Sequence, residues 1–199
     1  MSMQGIECRE FLQRKDKCYV ATFEPKDAIE FQKHMLKVNS DGRYGVNPLL
    51  KKLDRVYNDQ TTDIEPIKVG ISGNKLVNTG LVALSEMQVG KRTRLFDYYA
   101  IGESEQPVNI RDLSLYEEVS RLRIPSAGGN FIQRQSTIFY SIFFPKTTND
   151  CTVRETGIYD SSSGGKLLLR TVLPTLDNIP HKKNFDTIFV AHIIYSGSV

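Results

Sequence analysis

The chain has 199 residues, 40% of them hydrophobic and 25% charged, a balance that supports a packed core and excludes wholesale disorder. Its length holds one domain of ordinary size with an added segment, or two small domains. The net charge is +3 with acids and bases interleaved, so the concentrated basic stripe of a dedicated nucleic-acid binder is missing and no direct nucleic-acid partner is expected.

In chain order, the first element predicted is a short strand at 18–23 (Cys-Tyr-Val-Ala-Thr-Phe), broken by Glu24-Pro25. Residues 26–38 place Ala28, Ile29, Phe31, Met35, Leu36 and Val38 at spacings of three and four, the signature of an amphipathic helix. The run Asn39-Ser40-Asp41-Gly42 stops it. Pro48 opens a second helix with Leu49, Leu50, Leu53, Val56 and Tyr57 on one face. Residues 58–66 are polar and end at Pro66, which reads as a linker. The chain therefore divides into a helical N-terminal segment, 1–66, and a second domain, 67–199.

Residues 74–87 predict a helix carrying Leu76, Val77, Leu81, Leu84 and Met87, with Gly80 inside it. A mid-helix glycine costs about 1 kcal/mol relative to alanine, so close packing or a kink is expected there. After Gly90 strands dominate: 95–101, 136–144, 151–159, 166–173 and 187–195. The stretch from Asp160 to Gly165 (Asp-Ser-Ser-Ser-Gly-Gly) suits a hairpin turn, and Ser126-Ala127-Gly128-Gly129-Asn130 a flexible loop. Short strands joined by turns imply a mainly β fold, an antiparallel β-sandwich preceded by helices and so α+β overall. Phe139, Tyr140, Phe143 and Phe144 put aromatic rings on both faces of one strand. One face should fill the core; the other is covered by the N-terminal helices or buried against another subunit, with a contribution from both preferred.

Few residues suggest chemistry. Glu155 sits among apolar neighbours in a predicted strand, with Val153 and Gly157 on its face and Arg154, Thr156 and Ile158 on the other. A semi-buried carboxylate requires a partner, and Arg121 and Arg170 can each supply a bidentate pair. An acid catalyst is one reading; an ion pair that fixes register or a subunit contact is preferred. Gly157 suggests a close approach or a bulge. His34, His181 and His192 lack metal-ligand spacing, and no phosphate-cradling loop or nucleophile elbow occurs. No catalytic residue, cofactor or metal is expected. The three cysteines, Cys8, Cys18 and Cys151, follow no zinc or redox pattern and read as free thiols, with a Cys8–Cys18 pair left open. No apolar run reaches 18 residues and no secretory signal opens the chain, so a product made in the cytoplasm, with no membrane partner, is expected.

Residues 74–195 carry an ordered set of motifs. They are Asn78-Thr79-Gly80-Leu81, then Tyr98-Tyr99-Ala100-Ile101-Gly102, then Leu115-x-x-Glu118-x-x-Arg121. The strand Thr152-Val153-Arg154-Glu155-Thr156-Gly157-Ile158-Tyr159-Asp160 follows, and Gly165-Lys166-Leu167-Leu168-Leu169-Arg170 completes the set. In order and spacing this half resembles structural proteins of tailed phages and archaeal viruses, related to the N-terminal domains of tail-collar fibre proteins and to baseplate and head-decoration proteins. The resemblance implies a virion component without enzymatic activity, made in the host cytoplasm. Its partners would be copies of itself, as a trimer or hexamer, and other virion proteins. Asn78, Gly80, Gly102, Arg121, Glu155, Gly157, Asp160 and Arg170 would then serve structure and assembly. Because no shaft or tip follows the domain, the resemblance points to a tail, baseplate, collar or fibre-attachment adaptor. Capsid-surface decoration, or a receptor- or carbohydrate-binding module, is the alternative.

Overall fold

The computed structural model describes residues 17–24, 26–27, 68–124, 130–134, 137–144, 150–174, 179–181 and 187–195. The two predicted N-terminal helices lie outside this set except for residues 26–27, which are helical.

Two strand-forming runs from opposite ends of the chain find each other. Strand β1 (Lys17–Phe23) pairs antiparallel with β12 (Thr187–Tyr195), Val20 opposite Val190. On its other side β1 meets β2 (Lys68–Gly73). β12 continues to β7 (Thr137–Phe144), and β7 to β6 (Asn130–Arg134). The result is a five-stranded sheet in the order β2-β1-β12-β7-β6. Strand β1, which falls in the predicted N-terminal segment, is thus an inner strand of a sheet otherwise built from residues beyond 67.

A second five-stranded sheet has the order β3-β10-β9-β4-β5. Its strands are β3 (Lys75–Leu76), β4 (Tyr98–Gly102), β5 (Glu118–Arg123), β9 (Glu155–Tyr159) and β10 (Leu167–Val172). A two-stranded ladder joins β8 (Cys151–Val153) to β11 (Ile179–His181). All described pairings are antiparallel. The predicted mainly β, antiparallel character holds.

The two large sheets share one apolar core. Cys18, Val20, Ile142 and Phe144 from the first meet Tyr99, Ile101, Ile158 and Leu169 from the second. Tyr99 and Phe144 touch edge to face with ring centroids 6.5 Å apart, a preferred aromatic geometry. Hydrogen bonds tie the layers as well: Ser72 Oγ donates to Val172 O at 2.8 Å, and Cys18 Sγ lies 3.6 Å from Thr156 Oγ1.

Helix α1 (Asn78–Gln88) begins four residues later than the apolar spacing predicted. Lys75 and Leu76 instead pair with Arg170 and Leu169, and Val77 N donates to Leu168 O. Sheet hydrogen bonds outcompete the first helical turn there. The buried helical residues are Gly80 and Ala83, while Leu81 stays exposed. A Cβ on Gly80 would stand 2.2 Å from Leu168 O, so the missing side chain is what lets α1 lie directly on β10. At that same place β10 carries its irregularity: Leu167 faces Tyr159 and Leu169 faces Ile158, leaving Leu168 as the extra residue.

The predicted strand 151–159 is divided at Arg154. β8 pairs with β11, whereas β9 pairs with β4 and β10. Backbone bonds bridge the break, from Arg154 N to Gly102 O at 2.9 Å and from Leu173 N to Arg154 O at 2.7 Å. Every residue of β9 is buried. Thr156 and Ile158 face the shared core. The opposite side is covered by residues 103–117, whose Leu115 joins Val77, Ala100, Tyr159 and Leu167 in a second, smaller cluster.

Candidate functional site

The outer side of β9 presents an acid to a stretch that is neither helix nor strand. Glu155 faces Gly102 across the ladder. A Cβ on Gly102 would meet Glu117 O at 2.5 Å and Glu155 Oε1 at 2.7 Å. A bare backbone there makes room for the carboxylate and for chain passing over it. Gly157, two residues on, makes room in the same way for Leu167 and Leu115, whose methyl groups would lie 2.9 and 3.0 Å from its Cβ.

Into this space β10 sends Arg170, which lies opposite Gly157. Its Nε donates to Glu155 Oε2 at 2.7 Å and its Nη1 to Asp112 Oδ2 at 3.0 Å. The side chains of Arg170 and Glu155 are 0% exposed and that of Asp112 is 3% exposed. Two acids therefore share one dehydrated arginine. The Tyr116 ring covers the guanidinium, 4.7 Å from its centroid, a cation–π geometry strengthened by exclusion of water.

The acids also fasten main chain. Glu155 accepts Glu117 N at 2.9 Å and Tyr116 N at 3.4 Å. Asp112 accepts Asn109 N at 2.9 Å and the Tyr116 hydroxyl at 3.2 Å. Asn109 Oδ1 accepts Arg111 N at 2.9 Å, closing an Asx turn. Leu115 N donates to the Tyr159 hydroxyl at 2.6 Å. Burial is the main cause that pushes the Tyr159 hydroxyl up to about 12, so it stays protonated. At the near end Glu103 Oε1 accepts Thr152 N at 2.7 Å. Loop 103–117 is thus clamped along its length from beneath, while Ile110 (55%), Leu113 (67%) and Tyr116 (58%) remain exposed on it.

Arg121, the other partner considered for Glu155, goes elsewhere. It pairs with Glu118, Nε to Oε1 at 2.9 Å, and its guanidinium stacks 3.4 Å from the centroid of the Tyr159 ring. Nη1 donates to Ser161 O at 3.0 Å and to Gly164 O at 2.8 Å. Arg121 thereby holds the turn that follows β9. Asp160 works from inside the turn, accepting Lys166 N at 2.7 Å, with its other oxygen against Arg92. Gly165 has φ +78, and a Cβ there would meet Asp160 Oδ1 at 2.3 Å, so this position requires glycine. Lys166 Nζ reaches Glu86 Oε2 of α1 at 2.8 Å, and that bond is the first cause holding the Glu86 carboxyl below its ordinary value.

Sequence-selected residues converge. Gly102, Glu155, Gly157 and Arg170 form one cluster, Arg121 and Asp160 hold the adjoining turn, and Gly80 seats the helix on β10. Asn78 is exposed at the start of α1 and its backbone N donates to Ile110 O at 2.7 Å. Asp112 and Tyr116 carry no site signal of their own in the sequence beyond, for Asp112, the turn-forming run Pro107-Val108-Asn109-Ile110-Arg111-Asp112. Arg92 stands out only as part of the short basic run Lys91-Arg92-Thr93-Arg94, which reads as a solvated surface.

His181 and His192 lie in β11 and β12, and His34 is outside the described residues. Among the described residues no group of three or more His, Cys, Asp and Glu could hold a metal ion. Cys18 and Cys151 are free and buried. Burial pushes the Cys18 thiol up to about 12 and the Cys151 thiol to about 11, so neither is a thiolate at neutral pH. No helix among the described residues is long and apolar enough to cross a membrane.

The fold and site define a mainly β protein with a buried arginine–carboxylate clamp beneath a surface loop. No family model, curated protein or solved structure matches the chain.

Proposed function

We propose that this chain is a structural subunit of a virus particle that works by binding copies of itself and other virion proteins, without catalytic turnover. A tail, baseplate, collar or fibre-attachment adaptor position is preferred over capsid-surface decoration, following the resemblance of residues 74–195. The observation that carries the reading is the clamp. Dehydrating ions costs several kcal/mol each, so a buried triad is a poor device for net stability and a good one for fixing one geometry. What it fixes is a loop with apolar side chains turned toward solvent. Glu155 already accepts three hydrogen bonds and is sealed from water. That arrangement supports holding chain in place over moving protons.

The test is mass spectrometry and immunogold labelling of particles purified from the host that makes the chain. A fixed copy number at one station on the particle is the expected result. Absence from purified particles, with the chain left in the host fraction, would overturn the reading.

A receptor- or carbohydrate-binding module is the second reading. It draws on Tyr116, an exposed ring on a preorganised loop beside Glu117. Reproducible glycan-array binding that is lost in Tyr116→Ala would favour it.

A further inference from the structure

Helix α1 separates two surfaces of opposite character. At its first residue, Asn78 N is bonded to Ile110 O. This end therefore adjoins the clamped loop, with Ile110, Leu113 and Tyr116 exposed. At its other end Gly90 N and Lys91 N bond back to Met87 O and Glu86 O. There the chain runs through Val89 (67%) and Leu95 (53%), both exposed, on either side of Lys91, Arg92 and Arg94. With 11 residues in α1, the two surfaces stand about 16 Å apart along the helix axis.

Their charges are opposite as well. The loop brings Glu103, Glu105, Asp112, Glu117 and Arg111. Asp112 is taken up in the buried clamp with Glu155 and Arg170, so at the surface Glu103, Glu105 and Glu117 stand against Arg111 and Arg154, three acids to two bases, a net charge of −1. The far surface brings Lys91, Arg92, Arg94 and Lys166 against Glu86 and Asp160, four bases to two acids, a net charge of +2. Both surfaces have exposed apolar residues amid the charge. Like facing like would set equal charges together, so a two-fold contact through either surface is disfavoured, whereas opposite surfaces match in sign and in apolar content.

We infer that the Ile110–Leu113–Tyr116 loop surface of one copy docks on the Val89–Leu95 surface of a second copy, head to tail. This rests on the self-assembly reading above and specifies its geometry. A head-to-tail contact uses a different patch on each partner, so it closes into a ring or runs on as a filament and cannot stop at a symmetric dimer.

The test uses the full chain and two variants changed only at exposed side chains. Leu113→Ser with Glu117→Lys spoils the loop surface, and Leu95→Ser with Lys91→Ser spoils the far surface. Sedimentation velocity is run over a concentration series. The unchanged chain should associate beyond a dimer, and each variant alone should sediment as a monomer. An equimolar mixture should reach twice the monomer mass and no more, because one intact surface remains on each variant. Retention of the parent oligomer in either variant, or a mixture that stays monomeric, would overturn the head-to-tail contact while leaving self-assembly in place. A parent chain that is monomeric at every concentration would overturn self-assembly and this contact together.

Discussion

The two ends of strand β9 use the same ion-pair chemistry in different solvents. At Glu155 the arginine and both acids are dehydrated, and the network acts on a loop far away in sequence. At Tyr159 and Asp160 a second arginine, Arg121, holds the turn after β9, and its acid partner Glu118 keeps 28% of its side-chain exposure. A buried carboxylate that loses its partner cannot turn to water; a half-exposed one can. Glu155 should therefore be intolerant of change and Glu118 forgiving, while Asp160, buried against Arg92, belongs with Glu155.

Glu155→Ala gives the sharpest contrast. It leaves Arg170 buried with Asp112 alone and frees Tyr116 N and Glu117 N, and breaking such a pair costs about 3–5 kcal/mol. Urea denaturation should show that loss, and limited proteolysis should show new cleavage within 103–117. A loss under about 1 kcal/mol would mean Glu155 and Glu118 do not differ.

Gly80→Ala separates steric from electrostatic demand. Its Cβ would collide with the Leu168 backbone, which cannot rotate away. Overpacking of this kind costs about 1–3 kcal/mol, read as a lower thermal midpoint with helix content retained.

Alkaline titration probes the face of β9 turned to the shared core, where Cys18 lies against Thr156. An unfolded Cys18 thiol ionises near its ordinary 9.0, while the folded one keeps its proton until about 12. The folded state thus holds the extra proton, and stability falls as pH rises through this window. Tyr140, pushed up to about 12 by burial, acts in the same direction above its ordinary 10.0. Stability measured from pH 8 to 11 should decline, and Cys18→Ala should flatten the decline. The same burial predicts that iodoacetamide labels Cys18 and Cys151 only after unfolding.

Glu118→Gln should have the smallest effect. Arg121 keeps Ser161 O, Gly164 O and the Tyr159 ring, and a partly exposed pair contributes about 0–1 kcal/mol. A larger loss in urea denaturation would place Glu118 with the clamp rather than opposite it.

Local pattern carried most of the strand assignments. Runs such as 136–144 and 187–195 are β-branched and aromatic enough to need no tertiary argument, and β7 and β12 follow them closely. Where structure and local pattern differ, strand pairing overrides periodicity. Lys75 and Leu76 joined a ladder instead of a helix, and β5, polar and at a sheet edge, carried no strand signal at all. Glu155 was recognisable because a carboxylate in an apolar strand must have a partner. Asp112 was not, because it looks like any turn aspartate until Arg170 arrives from 58 residues away.

By itself the sequence determined the mainly β character, the glycine-bearing motifs and the demand of Glu155 for a cation. Those follow from propensity, turn chemistry and desolvation, which act within a few residues. Only the tertiary structure decided which arginine answers, that β1 enters the sheet beside β12, and that loop 103–117 is bound down with its apolar side chains outward. Those outcomes depend on which distant segments share a low-dielectric space, and spacing along the chain does not encode that distance.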